Sequence, residues 1–213
     1  MKQINFNMNA FKKMPVIGIL RDVPYENIEK IMPIFESSGF TNIEVTMNTP
    51  GVEKIITKLC AAYPNLNVGA GTVCNMEDLD RALKAGASFI VTPIISENVI
   101  QFCVKNNIPV FPGAYTPTEI YLADRLGATA IKVFPATQLG TRYIKDVLGP
   151  LNTLKLLPTG GITTSNIKSF FEAGAFGLGM GGSLFDKEII KNQDFEALEK
   201  HFIKITEIVK PFT

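Results

Sequence analysis

The strongest constraint on the fold is a beat. Helix-ending residues followed by short apolar runs recur at Gly39, Pro64, Gly86, Asn106, Gly127, Pro150 and Gly174. The intervals are roughly 20 to 25 residues, the length of one helix, one strand and two loops. Three signals share nearly the same sequence: Ala85-Gly86-Ala87, Leu126-Gly127-Ala128 and Ala173-Gly174-Ala175. Glycine there suits the left-handed residue that ends a helix before a strand begins. With an opening run at 16–20, the apolar runs fall at 42–46, 67–71, 88–92, 109–112, 130–134, 154–158 and 176–180, eight in all. Each is short and almost continuously apolar, the mark of a strand buried on both faces of a parallel sheet.

The segments between them are amphipathic, for example 26–38, 76–85, 118–126 and 165–173. Asn75, Thr116 and Thr164 stand where side-chain caps belong. Eight βα units predict an α/β fold, a closed (β/α)8 TIM barrel formed as one domain over residues 1–213. The competing open doubly wound sheet would carry a GxGxxG after its first strand, and none stands there. Residues before Val16 are expected to form a short helix closing the barrel bottom, and 195–209 the last outer helix.

Charge narrows the partners. A formal net charge of +1, without basic or acidic blocks, gives nucleic acid and anionic membranes nothing to grip. No apolar stretch approaches the ~18 residues of a membrane span, and Met1 to Met14 lacks the apolar centre of a signal peptide. A cytoplasmic protein is the expectation. Cys60, Cys74 and Cys103 are odd in number and never at CxxC spacing, so neither a disulfide framework nor a zinc site is expected.

Chemistry in such a barrel sits where strands end and βα loops begin. Lys132 is the single charge in the apolar run Ala130-Ile131-Lys132-Val133-Phe134-Pro135. A desolvated lysine sheds its proton and becomes an amine nucleophile able to form Schiff bases with ketones. The plain alternative is a strand-end lysine reaching to water. Side chains two apart share a face, which pairs Glu44 with Thr46 and Lys132 with Phe134. Thr72 follows Gly69-Ala70-Gly71, and Pro93 ends strand four. A carboxylate, an amine and several hydroxyls therefore converge on one mouth. Thr159-Gly160-Gly161 and Gly181-Gly182-Ser183 close strands seven and eight, where backbone N–H groups of this barrel cradle phosphate. Asn48 could contact a ligand or begin a turn before Pro50. Arg21, past strand one, could hold a carboxylate or stand solvated. His201, the only histidine, falls on the final helix, far from the mouth, and reads as a surface or packing residue.

Ile43-Glu44-Val45-Thr46, Gly69-Ala70-Gly71-Thr72-Val73, Phe89-Ile90-Val91-Thr92-Pro93, Pro112-Gly113, Thr116-Pro117-Thr118-Glu119, Ile131-Lys132-Val133-Phe134-Pro135-Ala136 and Pro158-Thr159-Gly160-Gly161-Ile162 occur in this order. Together they resemble the 2-keto-3-deoxy-6-phosphogluconate (KDPG) / 4-hydroxy-2-oxoglutarate (KHG) aldolase family, over about residues 16–184. The resemblance implies a class I aldolase without metal or other cofactor, typically a homotrimer. Its partners would be pyruvate and a 2-keto-3-deoxy phospho sugar acid. Lys132 would form the Schiff base and Glu44 would be the general acid/base. Thr72, Pro93 and Phe134, beside Thr46, would surround the pyruvyl group; Gly160, Gly161, Gly182 and Ser183, with Thr159, would hold phosphate. Many members carry arginine where Asn48 stands, to grip the pyruvate carboxylate; here Arg21 is expected to supply that grip. Two other classes stay open: a phosphosugar isomerase or epimerase using Glu44 as base, and a silent phosphate-ligand binding protein. Neither needs an amine nucleophile.

Overall fold

The computed structural model describes residues 6–213, so the first five residues of the expected 1–213 unit lie outside the described residues. In chain order the elements are α1 (Met8–Lys13), β1 (Val16–Leu20), α2 (Tyr25–Ser37), β2 (Asn42–Thr46), α3 (Val52–Ala62), β3 (Asn67–Gly71), α4 (Met76–Ala85), β4 (Ile90–Val91), α5 (Glu97–Lys105) and β5 (Val110–Phe111). Then follow β6 (Gly113–Ala114), α6 (Pro117–Arg125), β7 (Ile131–Val133), α7 (Gly140–Leu148), β8 (Leu156–Pro158), α8 (Ile167–Glu172), β9 (Leu178–Met180), α9 (Lys187–Lys191) and α10 (Phe195–Val209).

All the strand pairings are parallel, in the orders β5-β4-β3-β2-β1-β9 and β6-β7-β8. A bridge between Thr159 and Gly179 joins β8 to β9, and β5 runs into β6 through Pro112, so the ring closes as the TIM barrel expected. The fifth strand run is split because Pro112 has no N–H to give the ladder. Its carbonyl still accepts the N–H of Lys132 at 2.9 Å. The fourth run shortens to two residues, as Ser88 and Thr92 turn their hydroxyls onto the carbonyls of Val68 and Ile94.

The glycine beat has the expected cause: Gly39, Gly86, Gly127 and Gly174 have φ of 94°, 102°, 90° and 98°. At the Asn106 signal the left-handed residue is instead Asn107, φ 55°. Asn75 and Thr116 cap α4 and α6, the latter in a reciprocal capping box with Glu119. Thr164 caps nothing; Asn166 precedes α8 and its side chain accepts the Thr163 N–H at 2.8 Å.

Below the mouth the barrel is packed with rings. Phe11 of α1, Phe89, Phe111, Ile17, Val91, Ala130 and Leu157 form a separate interior cluster, with Phe6, Met8 and Phe176 packed against it. Ring centroids lie 5.5 Å apart for Phe11–Phe176 and 5.7 Å for Phe89–Phe111. Each ring buried here contributes about 1.5 to 3 kcal/mol of transfer free energy. The expected N-terminal helix thus plugs the bottom through Phe11. Polar groups at this end are paired: Asn67 Nδ2 donates to Asn42 Oδ1 (2.7 Å) and Asn7 O (3.0 Å), Asn7 N–H donates to Asn67 Oδ1 (2.7 Å), and Asn42 Nδ2 donates to Met14 O (2.7 Å). Among the described residues no helix is long and apolar enough to cross a membrane.

Candidate active site

Two residues above that plugged end, on the same inward faces, the character changes. Glu44 is only 1% exposed and Lys132 only 3%. They hold no ion pair with each other, and Glu44 Oε1 is buried without a hydrogen-bond partner. Unsatisfied buried oxygens are rare and demand a reason. Burial pushes the Glu44 carboxyl above the usual carboxylate range, against the pull of Lys132 and Arg21. Burial likewise pushes Lys132 below the usual lysine range, with Glu44 opposing the shift and Arg21 adding to it. Both groups are driven toward their uncharged forms, an amine and a carboxylic acid.

Glycine makes the space for this. A Cβ built on Gly71 would collide with Glu44 Oε1. The strand neighbouring Glu44 must be bare at that point, which explains part of Gly69-Ala70-Gly71. Phe134 lies one pleat above Lys132, its ring centroid 4.8 Å from Nζ. Thr72, at the end of β3, has φ 58°, costly for a β-branched residue and of a kind that gathers at functional sites.

Lys132 and Phe134 open onto a cavity of about 820 Å³ that also carries Arg21, Thr159, Gly160, Gly161, Gly182 and Ser183. The N–H groups of Gly161, Gly182 and Ser183 donate no hydrogen bond among the described residues, and these residues line the cavity from two turns, after β8 and after β9. Such a pair of glycine turns suits an anion. Arg21 is exposed on the rim, and its charge reaches both Glu44 and Lys132.

Several expected contacts are not brought into the cavity. Thr46 is fully buried and its hydroxyl is hydrogen-bonded to Thr49 Oγ1 at 3.0 Å. Asn48 is exposed and off the lining. Thr72 and Pro93 stand at the ends of β3 and β4, also outside the lining. The reading of His201 as distant from the mouth is corrected: its Nε2 lies 2.8 Å from the carbonyl of Ser183, because α10 folds back beside the turn after β9. Asp22, Asn27, Lys187, Lys191 and Gln193 line the cavity and were not singled out from sequence. Their signal was position alone, in the segments after the first and last strands. Among the described residues no group of three His, Cys, Asp or Glu side chains is placed to hold a metal ion.

A barrel mouth that pairs a dehydrated amine with a dehydrated acid is arranged for imine chemistry on a carbonyl compound. The comparisons agree: the model of the KDPG and KHG aldolase family matches residues 7–201, and the chain belongs to that family. It is accordingly an aldolase, a lyase. A 2-dehydro-3-deoxy-phosphogluconate aldolase of Haemophilus influenzae is 30% identical over 214 residues, covering 98% of both chains. A 2-dehydro-3-deoxy-6-phosphogalactonate aldolase of Escherichia coli K12 is 35% identical over 176 residues, 81% of this chain and 85% of the relative. Among solved structures, one described as native KDPGal superposes with a TM-score of 0.86 at 30% identity, covering 94% of this chain and 96% of the other. KDPG aldolase from Legionella pneumophila, with pyruvate captured as a covalent carbinolamine, gives 0.81 at 26% identity and 96% coverage of both.

Proposed function

We propose that this chain is a class I aldolase that cleaves 2-dehydro-3-deoxy-6-phosphogluconate to pyruvate and glyceraldehyde 3-phosphate, with Lys132 as the Schiff-base lysine and Glu44 as the general acid/base. The observation that carries the reading is the buried Glu44–Lys132 couple, held without an ion pair, whose lysine opens onto a cavity lined by two glycine turns. Neutral Lys132 attacks the C2 ketone and gives a carbinolamine, then an iminium on loss of water. The iminium draws the electrons of the C3–C4 bond once the C4 hydroxyl gives up its proton.

Glu44 changes state in step with this. A buried carboxyl facing a neutral amine prefers to stay protonated and can donate to the departing hydroxyl of the carbinolamine. Once the iminium forms, a permanent cation faces Glu44 across the barrel and favours the carboxylate, which can then accept the C4 proton directly or through water. Cleavage leaves enamine-bound pyruvate; protonation at C3 and hydrolysis free it. Phe134 walls the pyruvyl end; Thr46, Asn48, Thr72 and Pro93 do not line the cavity and belong at most to an outer shell around that wall. Arg21 supplies the carboxylate grip, and Gly160, Gly161, Gly182 and Ser183, with Thr159, hold the phosphate.

The galactonate epimer is the second reading, favoured by the 35% identity to the phosphogalactonate enzyme. Cleavage of 4-hydroxy-2-oxoglutarate to pyruvate and glyoxylate uses the same imine without the phosphate turns. As in the family, we take the working unit to be a homotrimer of single-domain chains in the cytoplasm. A coupled pyruvate-release assay over the three substrates tests the reading. The gluconate compound should give the highest kcat/KM, and Lys132→Ala should abolish release from all three. Full release by Lys132→Ala would end it.

A further inference from the structure

The turn after β9 is held from two sides. Within the turn, the N–H groups of Leu184 and Phe185 both donate to the carbonyl of Gly181 at 2.9 Å. Leu184 and Phe185 are buried at 0% and 3% exposure, and Phe185 packs edge-on against Phe202 of α10, ring centroids 5.9 Å apart. From outside the turn comes one polar tether, the His201 ring beside the Ser183 carbonyl at 2.8 Å. A carbonyl oxygen only accepts, so Nε2 carries the hydrogen and donates. The peptide between Ser183 and Leu184 is thereby fixed at both its oxygen and its N–H. The next polar groups along the chain, the N–H groups of Ser183 and Gly182, are those left unbonded at the cavity.

We infer that His201 is a positioning residue for the anion cradle: by holding the Ser183 carbonyl it sets the direction in which the Gly182 and Ser183 N–H groups meet the distal anionic group of the substrate. This rests on the reading of those turns as the phosphate end of the cavity. The bond needs a donor of the right length, not a charge. Neutral imidazole supplies one from a helix whose neighbouring Phe202 already docks on the turn.

The experiment compares His201→Ala and His201→Gln with the native enzyme, the glutamine amide being a neutral donor of similar reach. Three quantities are read: KM and kcat for the phosphorylated substrate, competitive inhibition by inorganic phosphate, and exchange of pyruvate methyl protons in deuterated water. Exchange needs the imine and an intact barrel but no phosphate, so it controls for folding. His201→Ala should raise KM and the phosphate inhibition constant about tenfold, the scale of one lost hydrogen bond to a charged site (about 1.4 kcal/mol). It should leave kcat and pyruvate exchange near native, and His201→Gln should restore most of the affinity. Unchanged KM and phosphate inhibition in His201→Ala would overturn the inference. So would a parallel fall in exchange, which marks a merely structural residue. If the native enzyme itself is not inhibited by phosphate, the cradle reading fails first and takes the inference with it.

Discussion

Asn42 and Glu44 sit two residues apart on β2, face the same interior and are equally buried, yet their surroundings are opposite. Asn42 belongs to a bottom network in which its amide oxygen accepts from Asn67 and its amide nitrogen donates to the Met14 carbonyl, while Asn67 in turn is bonded to the Asn7 backbone. Glu44 meets a bare glycine on β3, a lysine out of ion-pair reach across the barrel, and an oxygen left without a partner. The lower layer is filled with phenylalanine rings and satisfied amides; in the upper layer the bare Gly71 leaves room for the Glu44 carboxyl, and Lys132 opens into the cavity. A satisfied polar network specifies a fold, whereas an unsatisfied buried pair stores reactivity. Stability and chemistry are separated along one strand by a single pleat.

That contrast can be broken at either level. Glu44→Gln should lower kcat by about 10²- to 10⁴-fold while leaving pyruvate binding nearly intact, measured by steady-state kinetics and pyruvate titration. Its thermal midpoint should not fall, since the amide removes a buried ionisable group. One level down the pattern reverses. Asn67→Ala takes the partner from Asn42 Oδ1 and from the Asn7 N–H, while the Asn7 carbonyl keeps the Phe11 N–H, and should cost about 2 kcal/mol in denaturant unfolding. The kcat of the molecules that remain folded should stay close to native. If Asn67→Ala damaged kcat as severely as Glu44→Gln, the two layers would not be separable.

The smallest effect has a sign that discriminates. Because Lys132 is held below its unfolded value of about 10.4, the unfolded chain binds a proton that the folded chain lacks between the two values. The lysine therefore costs stability increasingly as pH falls through that window. Lys132→Met should be inactive but more stable than native by about 1 kcal/mol at neutral pH, with the gap closing above the unfolded value. A methionine variant less stable at neutral pH would mean that Lys132 is paired and charged.

Much of this was legible in the chain because it depends on spacing. The recurring Ala-Gly-Ala signals marked helix ends whose φ values require glycine, and the βα count closed the barrel. Lys132 was conspicuous as the only charge in its run, and Glu44 as a carboxylate near the end of its own strand, at the same mouth. What escaped depended on particular contacts, near or distant in sequence, that spacing does not encode. The break at Pro112 separates pairing with β4 from pairing with β7, which a continuous apolar run does not reveal. Thr46 looked available until Thr49, three residues on, took its hydroxyl. The contact of His201 with Ser183 spans 18 residues and exists only because α10 returns to the mouth. Lys187 and Lys191 drew no attention in the sequence because nothing in it places the short α9 at the border of the cavity.

The most direct test of the central claim is reductive trapping. Native enzyme incubated with pyruvate and borohydride, digested and analysed by mass spectrometry, should carry a single reduced pyruvyl adduct on the peptide containing Lys132, with turnover lost in proportion. An adduct on another lysine, or undiminished cleavage after the same treatment, would contradict the account.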